Sequence, residues 1–238
     1  MQLAGRPVTG ATEQAQAVTV QGATLLTDPT GALFLEAERA LIVADLHLEK
    51  GSSFAQRRIF LPPYDTAATL LRLAALIART RPKLVIALGD SFHDRRAGER
   101  MAESDRARLS ALQAGRDWIW IAGNHDPAPP EGLGGEAHGH LRLGPLTLRH
   151  EPQAGDAAGE IAGHLHPVAR VWSSAGSARR RCYVSDGTRC ILPAFGAFTG
   201  GLNMMDEAFA PLFSGPKFAH VLGRSRVYTV PMSRCLPD

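Results

Sequence analysis

Three apolar runs in the first half of the chain stop abruptly on metal-ligating residue types. Ala40-Leu41-Ile42-Val43-Ala44 ends on Asp45-Leu46-His47, Leu84-Val85-Ile86-Ala87-Leu88 on Gly89-Asp90, and Trp118–Ala122 on Gly123-Asn124-His125-Asp126. Short apolar runs bounded by glycine and polar residues read as buried strands. Between them, residues 64–81 repeat apolar side chains at helical spacing before Pro82, and a charged amphipathic helix is predicted from about Glu99 to Gln113. Alternating strands and helices imply parallel pairing through right-handed crossovers, with function at the carboxyl ends of the strands. In extended backbone, residues i and i+2 point to one side. Asp45 and His47 are therefore expected to converge just past the first of these strands.

The flanking text differs. Residues 17–45 read as strand, strand, an Asp28-Pro29-Thr30-Gly31 turn, strand, strand, which suggests an antiparallel hairpin beside the sheet. After Gly134 come short strand patterns such as HLRLGPLTLR and EIAGHLH, expected to form a second sheet packed on the first. The fold class is α/β, two packed mixed sheets flanked by helices. Residues 1–15, rich in Gly, Ala and Gln, read as a flexible arm. With no linker, repeat or low-complexity block in sight, residues 16–238 read as one domain, long enough to bury a full core. The N-terminus lacks the basic-then-apolar order of a signal peptide, and no run of 18 apolar residues exists, so a cytoplasmic chain outside the membrane is expected.

The strand-end pattern recurs later, in Arg149-His150-Glu151-Pro152 and Gly163-His164-Leu165-His166-Pro167. Taken singly, each Asp or His is more often a cap or a solvated turn residue than a ligand. Together Asp45, His47, Asp90, Asn124, His150, His164 and His166 are too many for one tetrahedral ion and suit two ions sharing a carboxylate. Carboxylate, amide oxygen and imidazole favour Mn²⁺, Fe or Zn²⁺ over soft metals. The three cysteines show no ligand spacing and, being odd in number, no disulfide framework.

The ordered blocks DLH, GDSFHD, GNHD, LRHE and GHLHP resemble the calcineurin-like metallophosphoesterase superfamily. The resemblance implies a four-layer α-β-β-α sandwich and two divalent ions, most simply Mn²⁺. It implies that Asp45, His47 and His166 hold one ion, Asn124, His150 and His164 the other, and that Asp90 bridges them. His125 would stabilise the phosphate or protonate the leaving oxygen. GDSFH is similar to the GDxFH of double-strand-break repair nucleases, in which that His, here His93, partners the GNHD His. It lacks the Asp-Arg pair that protein phosphatases carry after GD. LEKG, the Arg57-Arg58 region and AFTGG further resemble the bacterial ligase-associated DNA damage response endonucleases. That branch implies DNA hydrolysis in repair, beside an ATP-dependent DNA ligase, a helicase and an exonuclease-like partner.

Other readings keep the fold. The substrate could be a small nucleotide diester or pyrophosphate, or the chain a non-catalytic adaptor, although adaptors usually lose ligands. Arg95 and Arg96, just after the GDSFHD block, are candidates for a substrate phosphate, while charge runs are usually solvated faces. Asp94 and Asp126 could orient imidazoles or merely form turns. His138, His140 and His220 read as ordinary strand or surface residues. Trp118 and Trp120 share a face and read as core, so no stacking platform for single-stranded nucleic acid is visible. A net charge of +3 permits an anionic substrate without demanding one.

Overall fold

A computed structural model describes residues 16–173 and 176–238; the expected arm, residues 1–15, lies outside the described residues. The first sheet runs in chain order: β1 (Gln16–Val20), β2 (Ala23–Thr27), β3 (Leu33–Leu35), β4 (Ala40–Val43), β5 (Leu84–Leu88), β6 (Asp117–Ile121) and β7 (Glu136–His138). β1 to β4 form an antiparallel meander, and β4 to β7 are parallel. The second sheet holds β8 (His140–Leu143), β9 (Leu146–Arg149), β10 (Glu160–Ala162), β11 (Val168–Ser173), β12 (Gly176–Ser185), β13 (Cys190–Ile191), β14 (Phe218–Leu222), β15 (Val227–Pro231) and β16 (Cys235–Leu236). Its path is β15-β14-β12-β13-β10-β9-β8, with β11 paired to β12 and β16 paired in turn to β11. β10 lies parallel to both β9 and β13, so this sheet is also mixed.

The apolar runs of β4 to β6 are continuous because both faces are buried. Ile42, Ile86, Leu88 and Ile121 point into the core between the sheets, where Leu146, Leu148, Ile161 and Tyr183 meet them. Leu41, Val43, Val85, Trp118 and Trp120 face the other way, under Leu70, Leu73, Leu76 and Ile77 of α2 (Asp65–Thr80). Pro82 ends that helix as expected, with Arg81 left-handed at φ 46°. Against the second sheet lies a short 3₁₀ segment, Glu207–Leu212, whose Phe209 and Leu212 pack on Cys182, Val184 and Ala219.

Two helices depart from the sequence reading. α1 (Lys50–Gln56) has no apolar stripe and buries only Gly51 and Ser53. Polar contacts hold it instead: buried Glu49 accepts from Ser52 and Thr66 at 2.7 and 2.9 Å, and Asp65 accepts from the Gly51 amide at 3.0 Å. The helix expected over 99–113 is two, α3 (Ala97–Arg100) and α4 (Glu103–Gln113), because Met101 turns extended at ψ 124°. Arg100 is held there by Asp94 at 2.7 Å and Ser52 at 3.1 Å. Among the described residues no helix is long and apolar enough to cross a membrane.

His220, on β14, is a buried strand residue whose ring bridges Ser185 at 2.7 Å and Thr229 at 2.8 Å. Burial lowers its pKa from 6.5 to about 4. The unfolded chain therefore takes up this proton first, so the contribution is complete above pH 6.5 and is lost as pH falls towards 4. That shift amounts to about 3 kcal/mol. The difference in urea-unfolding free energy between the native chain and His220→Gln is expected to shrink by about that much between pH 7 and 4. A difference that stays constant with pH would contradict the buried neutral ring.

Candidate metal centre

All seven candidate ligands follow strands whose carboxyl ends meet at one edge of the sandwich. Asp45 and His47 follow β4, Asp90 follows β5 and Asn124 follows β6, while His150 follows β9 and His164 and His166 follow β10. Parallel pairing of β9 with β10 brings the two later blocks together.

Alternation along an extended strand is not what brings these residues together. Asp45, His47, Asp90, His164 and His166 are not in extended backbone: their φ angles are 54°, 44°, 45°, 69° and 47°. Left-handed conformations of non-glycine residues cost about 1–3 kcal/mol each and gather at functional sites. Pairing between loops sustains the strain here. His47 N–H donates to the Asp90 carbonyl at 2.9 Å, and the His164 amide donates to both Asp45 carboxylate oxygens at 3.2 and 3.1 Å. Glycine provides the clearance. A Cβ on Gly123 would stand 2.3 Å from Asp90 Oδ1, and one on Gly89 would stand 2.6 Å from His150 Nδ1.

Two groups of ligand atoms result. Asp45, His47 and His166 form one and Asp90, His150 and His164 the other, the atoms of each lying within 4.8 Å of one another. In the first, His166 Nε2 is 3.3 Å from both Asp45 Oδ1 and His47 Nε2. In the second, Asn124 Oδ1 lies 2.8 Å from His150 Nε2 and 3.0 Å from His164 Nδ1, and these nitrogens are 3.1 Å apart. Donors bound at about 2.0–2.2 Å to one ion lie roughly 3.0–3.5 Å apart; the first group's 3.3 Å spacings match this, and the second group's need only its 2.8 Å pair to open slightly. Asp90 stands between the groups: Oδ1 is 3.3 Å from His150 Nε2, and Oδ2 is 4.0 Å from His47 Nε2.

The proton positions point the same way. His150 Nδ1–H donates to the Leu88 carbonyl at 3.0 Å, which leaves Nε2 as a bare lone pair facing the Asn124 oxygen. Two acceptors so close need a cation between them, a proton or a metal. Without metal the proton serves. Burial alone would lower the pKa of His150, but its hydrogen bond to Asp90 and the Asp45 charge raise it to about 9. Burial would raise the pKa of Asp90, and the His150 bond and charge overcome this and lower it. His47 is held neutral, by burial first and then by the His166 charge, as a ligating imidazole must be.

His125 and His93 sit beside this centre. His125 Nδ1–H donates to the His93 carbonyl at 2.9 Å, its ring stacks on that of His93 at 5.5 Å, and its Nε2 lies 3.8 Å from Asp90 Oδ2. The His93 ring itself has its Nδ1 buried without a hydrogen-bond partner among the described residues. Asp126 is buried and accepts from the Phe92 amide at 3.0 Å, whereas Asp94 pairs with Arg100. Neither orients an imidazole through a hydrogen bond among the described residues.

A cavity of about 430 Å³ opens from His125 and Asn124 and is lined by Arg57, Arg95 and Arg96 among others. A second, of about 570 Å³, lies on the other side of Asn124 and His150, along His140, Arg149 and Gln153. Arg96 is engaged by Glu99 at 3.0 Å, whereas Arg57 and Arg95 have no ion-pair partner among the described residues. The sequence reading missed Arg57 as a site residue. The Arg57-Arg58 pair reads as part of the family resemblance and not as a substrate contact, since α1 has no apolar periodicity to show where it points.

Comparison with known proteins agrees with this geometry. Residues 38–185 match the family model described as calcineurin-like phosphoesterase. No curated protein matches the chain. Among solved structures, the nuclease MPE of Pseudomonas putida is 30% identical, covers 91% of this chain and 100% of its own, and superposes with a TM-score of 0.69. Yfce, a phosphoesterase from E. coli, is 13% identical over 80% of this chain and 97% of its own, with a TM-score of 0.39, too loose to argue from. The chain belongs to the calcineurin-like phosphoesterases, metal-dependent hydrolases of phosphoesters.

Proposed function

We propose that the chain is a dinuclear phosphodiesterase that cleaves DNA, with Mn²⁺ as its working ion and Fe or Zn²⁺ as substitutes. The observation that carries this reading is Asp90, whose two carboxylate oxygens each face a different ligand group. Asp45, His47 and His166 would hold one ion, Asn124, His150 and His164 the other, with Asp90 shared. Bound divalent ions would lower the pKa of a water and neutralise charge on the phosphate. The protein contributes the rest. His125 Nδ1 is committed to the His93 carbonyl at 2.9 Å, which leaves Nε2 on the side of Asp90, 3.8 Å from its Oδ2. His125 Nε2 would then donate a proton to the leaving oxygen, and His93 would act as its positioning partner. Similarity to the Pseudomonas putida nuclease and the two cavities flanking Asn124 support a polynucleotide substrate. On the narrower resemblance, the reaction would serve DNA repair beside an ATP-dependent ligase and a helicase.

The test is a screen of Mn²⁺-loaded protein on bis-p-nitrophenyl phosphate, p-nitrophenyl phosphate and labelled single- and double-stranded DNA. Cleavage of the diester and DNA, with the monoester slow, is expected. Diester turnover with DNA untouched would replace DNA by a small nucleotide diester, and silence with two ions bound would leave an adaptor.

Arg57 and Arg95 are expected to hold phosphates flanking the cleaved bond. Arg57→Ala/Arg95→Ala should raise KM for DNA about 10-fold, and the salt dependence of log KM should flatten by roughly one unit of slope per lost contact. An unchanged slope would remove both residues from the substrate path.

A further inference from the structure

Arg72, on α2, and Arg181, on β12, meet against the loop 194–199, and neither belongs to a ligand group. Arg72 Nη2 donates to the Phe195 carbonyl, with its guanidinium 4.6 Å over the Phe195 ring. Arg181 Nη1 donates to the Ala194 carbonyl at 2.7 Å. Each guanidinium carries five N–H donors, yet these are the side-chain hydrogen bonds each makes among the described residues. Arg72 Nε is buried without a partner, and no carboxylate pairs with either arginine among the described residues. Burial, and then the charge of Arg181, lowers the pKa of Arg72 to about 10. Two cations crowded together and partly desolvated are unfavourable unless an anion joins them.

Between them lies a cavity of about 170 Å³, lined also by Gly196, Ala197, Phe198 and Thr199. It is smaller than the roughly 300–1,000 Å³ of drug-sized pockets, so it suits an ion or a single phosphate rather than a nucleoside. Phe198 is held at φ 57° there, a strained setting for an aromatic residue.

We propose that the Arg72–Arg181 cavity is a second anion site, separate from the metal centre, that takes a phosphate group. Guanidinium forks match phosphate oxygens pairwise, and two of them balance a dianion. The site is coupled to the metal centre through one loop: the Phe195 amide donates to the Ala44 carbonyl at 2.8 Å and the Gly196 amide to the Asp45 carbonyl at 3.1 Å. The phosphate has two sources, free inorganic phosphate or a backbone phosphate of a polynucleotide away from the cleaved bond. The site itself stands independently of the DNA reading.

Equilibrium dialysis of metal-loaded protein with radiolabelled inorganic phosphate is expected to give two bound ions per chain in the native protein and one in Arg181→Gln. Equal stoichiometry in the two would overturn the proposal. Should Arg181→Gln fail to fold, Arg181→Lys is expected to weaken the second site about 10-fold, because an ammonium lacks the fork; unaltered binding would again overturn it. Crystals of the native metal-loaded protein soaked in tungstate should show an anomalous peak between the two guanidiniums. A peak at the metal centre alone would count against the site, and a peak at the arginines without the lost stoichiometry would mean an adventitious ion only. KM then separates the sources. If Arg181→Gln raises KM for DNA at least about five-fold more than KM for bis-p-nitrophenyl phosphate, the site holds a backbone phosphate. Equal KM changes with phosphate binding lost assign it to the free ion, and both results sustain the site.

Discussion

Replacing Asp90 by Asn is expected to lower kcat/KM on a phosphodiester by about 10³-fold, the equivalent of the several kcal/mol that a metal pair contributes to the transition state. Asp90 is 2% exposed, and its Oδ1 accepts the His125 amide at 3.0 Å while facing His150. Asn keeps an acceptor of the same shape for that amide and tolerates the φ of 45° that Asp90 adopts. The fold should therefore survive, with a circular-dichroism spectrum like the native one. What is lost is charge: both ligand groups then face a neutral amide in place of a shared carboxylate. Bound metal, measured after desalting, should fall along with the rate. Native-like turnover in Asp90→Asn would remove this residue from between the ions.

His125→Ala is expected to behave differently, losing about 10²–10⁴-fold in rate with metal content intact. Its side chain is 41% exposed and belongs to neither ligand group, so truncation should leave stability and metal binding close to native. The leaving group separates its two possible contributions. If Nε2–H protonates the departing oxygen, the loss should be large for DNA, whose leaving alkoxide is strongly basic. It should be small for bis-p-nitrophenyl phosphate, whose phenolate departs unaided. Equal losses on both substrates would assign His125 to phosphate stabilisation alone.

Much of the fold was legible because burial on both faces makes β4, β5 and β6 continuous apolar runs, and because Pro82 marks the end of α2. The ligand types at the strand ends were legible as well, since Gly89 and Gly123 stand where any Cβ would collide with the site. The path of the chain through that site was not. Alternation along a strand predicts that Asp45 and His47 share a side, whereas the loop reaches convergence through left-handed turns at both residues. These turns are sustained by hydrogen bonds to chain segments up to 119 residues away, which no local pattern encodes. For the same reason α1 was invisible: its support comes from the Glu49 and Asp65 carboxylates rather than from an apolar stripe. Arg57, at the end of α1, was noted as part of the resemblance, but nothing local to it showed that it lines the cavity beside His125.

The shared carboxylate is the centre of this account, and anomalous diffraction at the manganese edge from crystals of the Mn²⁺-loaded protein tests it most directly. Two peaks about 3.5–4 Å apart, one on each side of Asp90, are predicted. A single peak, or two peaks with Asp90 bound to only one of them, would contradict the dinuclear centre.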